Sequence, residues 1–84
     1  MKLKRQDVYK LLDGERDYQD NLPSNRTDGR EKTVGDWLTL LDRYVRKAQD
    51  SYADTSGDDA ALNEIRKVGG LVVHCLEHYG ANPR

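Results

Sequence analysis

His74 and His78 stand four residues apart, the spacing that sets two imidazoles on one face of a helix, where they could ligate a metal ion. Two ligands hold a metal weakly and no third stands beside them, so the pair reads as structural or surface histidine. Cys75 is the only cysteine. It lies inside an apolar helical stretch and has no partner for an intrachain disulfide, which suits a buried thiol in a reducing cytoplasm. Ser24, Ser51 and Ser56 lie in or near polar loops with no adjacent histidine, so a serine nucleophile lacks its base. Glycine-rich phosphate loops, Cys-x-x-Cys pairs and His-Glu-x-x-His helices are all missing. No catalytic set is complete, and neither a metal site nor a cofactor is expected.

The better chemical clues are polar residues at positions where an apolar stripe is due. Val8, Leu12, Glu15, Gln19 and Leu22 recur at three and four residues, so a carboxylate and an amide share the face that should be buried. Burying a charge without a partner is expensive. Two readings account for Glu15 and Gln19: a structural pair with a basic residue of a later helix, which would fix helix register, or a polar pocket inside the bundle. The structural pair is preferred. Glu64, Lys67, Leu71, His74 and His78 form a second stripe, and its mixed charges point to water rather than to a cleft. Gly69 and Gly70 each cost about 1 kcal/mol in a helix interior. Close approach of another helix explains them better than a ligand does.

Three segments carry helical period and must position these residues. The first runs over about residues 5–21, weakened by Gly14, with Val8, Leu11, Leu12, Tyr18 and Leu22 as a narrow apolar stripe. Residues 23–32 begin with Pro23 and hold no large apolar side chain, which reads as a flexible loop. The second helix spans about 34–53, with Thr33 as cap and Asp36 at the third helical position. It carries a broad stripe of Trp37, Leu38, Leu41, Tyr44, Val45, Ala48 and Tyr52. After a turn, Asp58 or Asp59 can cap a third helix over about 59–79, which Gly80 and Pro83 stop.

The fold class expected is therefore all-α: three amphipathic antiparallel helices forming one small bundle over residues 1–84. The 84 residues carry a net charge of -1, with 35% charged and 36% hydrophobic, which leaves room for one domain. A chain this short buries only about 60% of its unfolded surface. Its core is marginal, so a homo-oligomer completed through helices two and three is expected. Charges are interleaved, and Lys2, Lys4 and Arg5 make only a minor basic cluster; duplex nucleic acid is not an expected partner. No signal peptide or membrane span is expected, since residues 1–6 lead into no apolar region and the longest apolar run is Leu71 to Val73. A soluble, cytoplasmic protein follows.

The run Glu15 to Asp20, the Trp37 to Leu41 segment, Ala61-Leu62 with Arg66-Lys67-Val68, and Cys75 to Gly80 before the terminal Pro83-Arg84 resemble a group of small bacteriophage proteins. More remotely they resemble the MazG-like all-α nucleotide pyrophosphohydrolases. That second resemblance implies magnesium held by a Glu-x-x-Glu on one helix and a Glu-x-x-Asp on a later one, since a hard cation bridging a polyphosphate needs converging carboxylates. On helix two the matching registers are Asp42 with Val45, Arg43 with Arg46, or Tyr44 with Lys47, none with two acids. On helix three Glu64 matches, but Lys67 takes the aspartate position and repels a cation.

The resemblance, with those replacements, implies a nucleotide-sized cleft that grips phosphate directly. Lys67, with Arg46 or Lys47, would supply charge, while Tyr18, Trp37 or Tyr44 would stack a base. Glu15, Gln19 and Glu64 complete the candidate ligand-binding set. The function expected is a non-catalytic phage accessory protein that sequesters a nucleotide or a nucleotide-derived signal of host defence. Alternatives are a module that modulates a host protein, and a residual magnesium-dependent pyrophosphohydrolase.

Overall fold

A computed structural model describes residues 2–22, 31–54 and 57–84. It holds three helices in chain order: α1 (Arg5–Asp20), α2 (Val34–Asp54) and α3 (Asp58–Tyr79). Each limit lies within one residue of the limit that the apolar period sets. Of the expected flexible loop, residues 23–30 lie outside the described residues.

Local chemistry accounts for the ends. The Asp36 N–H donates to Thr33 Oγ1 at 3.0 Å and the Thr33 N–H donates to Asp36 Oδ2 at 2.9 Å, a reciprocal capping box that satisfies two otherwise orphaned donors. The N-cap of α3 departs from expectation. Gly57 takes that place with φ 67°, a left-handed angle that only glycine adopts without strain. Asp58 and Asp59 stand instead in the first turn, where their carboxylates meet the positive end of the helix dipole. Gly80, with φ 69°, closes the helix by donating its N–H to the Leu76 carbonyl at 2.7 Å.

Helix α3 is central and packs against both others, whereas α1 and α2 do not pack on one another among the described residues. The α2–α3 pair is an antiparallel hairpin. Trp37 near the start of α2 meets His74 near the end of α3, and the Tyr79 hydroxyl donates to the Lys32 carbonyl. Ala48 and Ala61 are buried together with Trp37 and Leu71; small side chains let two backbones approach closely, and the indole supplies most of the apolar volume.

Helix α1 crosses α3 at the glycine pair. A methyl added to Gly69 would come 2.5 Å from Leu12 Cδ2, and one added to Gly70 would come 2.8 Å from both Glu15 Cγ and Gln19 Nε2. Close helix approach, the preferred reading of these glycines, is what occupies them. Only Glu15 and Gln19 are buried on α1. The apolar residues expected to line its inner face fare otherwise, since Val8, Leu11 and Tyr18 are exposed. A helix that touches one neighbour at one crossing can bury only the side chains at that crossing. Cys75, expected buried, is half-buried. Among the described residues no helix is long and apolar enough to cross a membrane.

Candidate functional site

Because α1 and α2 flank α3 without touching, a cleft of about 520 Å³ opens between them. Glu15, Tyr18 and Gln19 of α1 form one wall, Trp37, Leu40, Tyr44 and Lys47 of α2 the other, and Lys67, Leu71, His74 and His78 of α3 the floor. The floor residues recur at four, three and four positions, so a helix projects all of them to one side. All but Glu64 of the row read from sequence as facing water line this cleft instead, because α1 crosses α3 rather than covering it and leaves that side open inward.

The α1 wall is held by polar contacts. Glu15 is 6% exposed and accepts from Arg66 Nε at 3.0 Å through one oxygen and from Gln19 Nε2 at 3.0 Å through the other. Gln19 Nε2 also donates to the Lys67 carbonyl at 3.0 Å. The structural reading of Glu15 holds, with Arg66 of α3 as the basic partner, and the same side chains form part of the cleft. Arg16 clamps the crossing from the next position. Its Nε donates to Glu77 Oε1 at 2.8 Å, and it also pairs with Asp20. Burial works against the Arg16 charge, but these two carboxylates outweigh it and hold the guanidinium above its ordinary pKa.

Electrostatics along the opposite side differ. Lys47 Nζ stands 4.6 Å from the centre of the Tyr44 ring, and Lys32 Nζ 5.3 Å from that of Trp37, both within the range of ammonium–ring attraction. Neither ammonium pairs with a carboxylate among the described residues. Lys67 Nζ donates to Glu64 Oε1 at 3.1 Å. His74 meets the Trp37 indole edge-on at 4.9 Å between ring centres. Burial first, then the charge of Arg16, lowers its pKa below the ordinary 6.5 against the opposing pull of Asp20 and Glu77. His78 packs edge-on against Tyr79 and lies 3.7 Å from a Glu31 oxygen.

Of the nine residues singled out from sequence, Glu15, Tyr18, Gln19, Trp37, Tyr44, Lys47 and Lys67 line the cleft. Arg46 stands away from it, on the wet face of α2, paired with Asp42 at 3.1 Å and 73% exposed. Glu64 is tied to Lys67 and does not reach the lining. Trp37 is 4% exposed, so its faces are already covered; Tyr18 and Tyr44 are the aromatic rings a ligand could reach. Glu31, Lys32, His74 and His78 also line the cleft. The two histidines were legible as one face of α3 with Lys67, whereas Glu31 and Lys32 have no periodic signal and come into place through the Tyr79 contact.

The magnesium set that the enzyme resemblance implies does not fit these residues. Glu64 carries an ammonium partner where a second acid would be required, and among the described residues no three His, Cys, Asp or Glu side chains gather as a metal ion demands. Comparison with protein-family models, curated proteins and solved structures gives no match to this chain.

Proposed function

We propose that the chain binds a small phosphate-bearing aromatic ligand of the nucleotide class in the cleft between α1 and α2, and holds it without hydrolysis. One observation carries this reading: Lys32 and Lys47 are cations set over aromatic rings, without carboxylate partners among the described residues, on the rim of a cleft of about 520 Å³. Ammonium groups bind phosphate as point charges, and a cleft of this size falls within the range of small-molecule sites. Exposed Tyr18 and half-buried Tyr44 offer faces on which a base can stack. Of the acids nearby, Glu15 is engaged by Arg66 and Glu64 by Lys67, while Glu31 on the lining lies 3.7 Å from His78; the ammonium groups of Lys32 and Lys47 outnumber that carboxylate and leave the cleft's open charge positive. Sequestration of a nucleotide signal by a phage protein is the role that the sequence resemblance adds to this chemistry.

The test is a melting-shift screen with nucleoside mono-, di- and triphosphates and cyclic dinucleotides, each in magnesium and in EDTA, with inorganic phosphate as control. A native-state ligand raises the melting temperature by mass action. Stabilisation by a nucleotide that persists in EDTA and weakens with salt supports the proposal. Absence of any shift, or release of phosphate or pyrophosphate with magnesium, overturns it.

A further inference from the structure

The side of the α2–α3 hairpin turned away from the cleft is apolar and uncovered. On α2 the positions Val34, Leu38, Val45 and Tyr52 fall on one line, and on α3 the positions Leu62, Ile65, Val72 and Leu76 do the same; all eight are between 38% and 63% exposed. Their spacings are three, four or seven residues, the sevens filled on α2 by half-buried Leu41 and already buried Ala48 and on α3 by Gly69, which Leu12 of α1 approaches. That is the heptad pattern of a helix seam. At about 100° per residue, this line on α2 lies on the other side of the buried positions Trp37 and Ala48 from the cleft residues Leu40, Tyr44 and Lys47. The antiparallel run of α2 and α3 sets the two seams beside each other as one face.

We infer that this face is the interface of a twofold dimer, in which two α2–α3 hairpins close a four-helix core and both clefts face outward. Several observations select a second copy as the occupant. Residues 23–30 and 55–56 contain no large apolar side chain, so those segments have nothing with which to cover the face. Eight half-exposed large side chains leave on the order of 100 Å² each in water, which matches the roughly 800 Å² per partner of a specific interface. Finally, among the described residues few apolar side chains are buried within one copy, and none is a large side chain buried completely. A partner that completes the core must be present whenever the chain folds, and only the chain itself meets that condition at equal stoichiometry.

Sedimentation equilibrium and light scattering across the micromolar range test this, alongside thermal melts at several protein concentrations. The wild type is expected to be a dimer whose melting temperature rises with concentration. L38K and I65K, each placing an ammonium in the seam, are expected to raise the dimer dissociation constant at least a hundredfold, while K47Q on the cleft side leaves it unchanged. Should L38K fail to fold, the wild-type concentration dependence still decides the matter. A monomeric wild type with a concentration-independent melt, a wild-type assembly larger than a dimer, or a dimer indifferent to both seam substitutions overturns the inference.

Discussion

The Glu15 carboxylate, buried in the crossing of α1 over α3, accepts the Arg66 Nε–H at 3.0 Å while the Arg66 side chain keeps 41% of its surface in water. The pair is asymmetric: the acid has lost its hydration and the base has not. Removing the base is therefore the costly change, because it strands a desolvated acceptor. Arg66→Met is expected to destabilise the fold by about 1–3 kcal/mol. In a double-mutant cycle with Glu15→Gln the two losses should fall short of additive, read from urea midpoints. Strict additivity would show that the contact carries no coupling.

The glycines of α1 and α3 differ in what surrounds them. Around Gly14 a methyl would meet nothing within 4 Å, whereas at Gly70 it would press on Glu15 and Gln19. Gly14→Ala is expected to stabilise by about 0.5–1 kcal/mol through helix propensity, and Gly70→Ala to destabilise by about 1–3 kcal/mol through overpacking. Denaturant midpoints of the same sign for both would contradict the placement of α1.

Loss of the Thr33 hydroxyl removes half of the capping box at the start of α2. Thr33→Ala should cost about 1 kcal/mol, and Thr33→Ser should restore most of it. Equal stability of the alanine and serine variants would mean that the box does not hold this end.

His74 has a folded-state pKa below its ordinary 6.5, chiefly through burial and then through Arg16. The unfolded chain then takes up a proton that the folded chain resists. Stability from this source is complete above about pH 6.5 and declines as the pH falls through the lowered folded value. His74→Gln should flatten the acid limb of stability against pH. An unchanged limb would assign that dependence to other groups.

If the cleft holds a nucleotide, Lys32→Gln and Lys47→Gln should each weaken binding about tenfold, the loss of one charge-assisted contact, and each should reduce the salt dependence. Calorimetric titration of the strongest hit from the melting screen measures both. Arg46→Gln, on the wet face and paired with Asp42, should leave affinity within about twofold, as exposed pairs contribute little. A larger effect at Arg46 than at Lys47 would place the ligand elsewhere.

Short-range chemistry was open to reading from the order of residues alone. The apolar period set both limits of all three helices to within one residue, Thr33 and Asp36 announced their own cap three positions apart, and Gly80 announced a stop. The oddity of Glu15 and Gln19 on an apolar stripe was equally visible, because their burial breaks a local pattern. Which base Glu15 meets, which helix the Gly69–Gly70 pair admits, and that Lys67, His74 and His78 face a cleft rather than water were decided by tertiary structure. Those facts depend on α1 crossing α3 and leaving α2 untouched, a matter of how separated helices pack. Periodicity reports the faces of one helix, whereas the partner of each face is chosen by volume, charge and chain connection acting across the whole molecule.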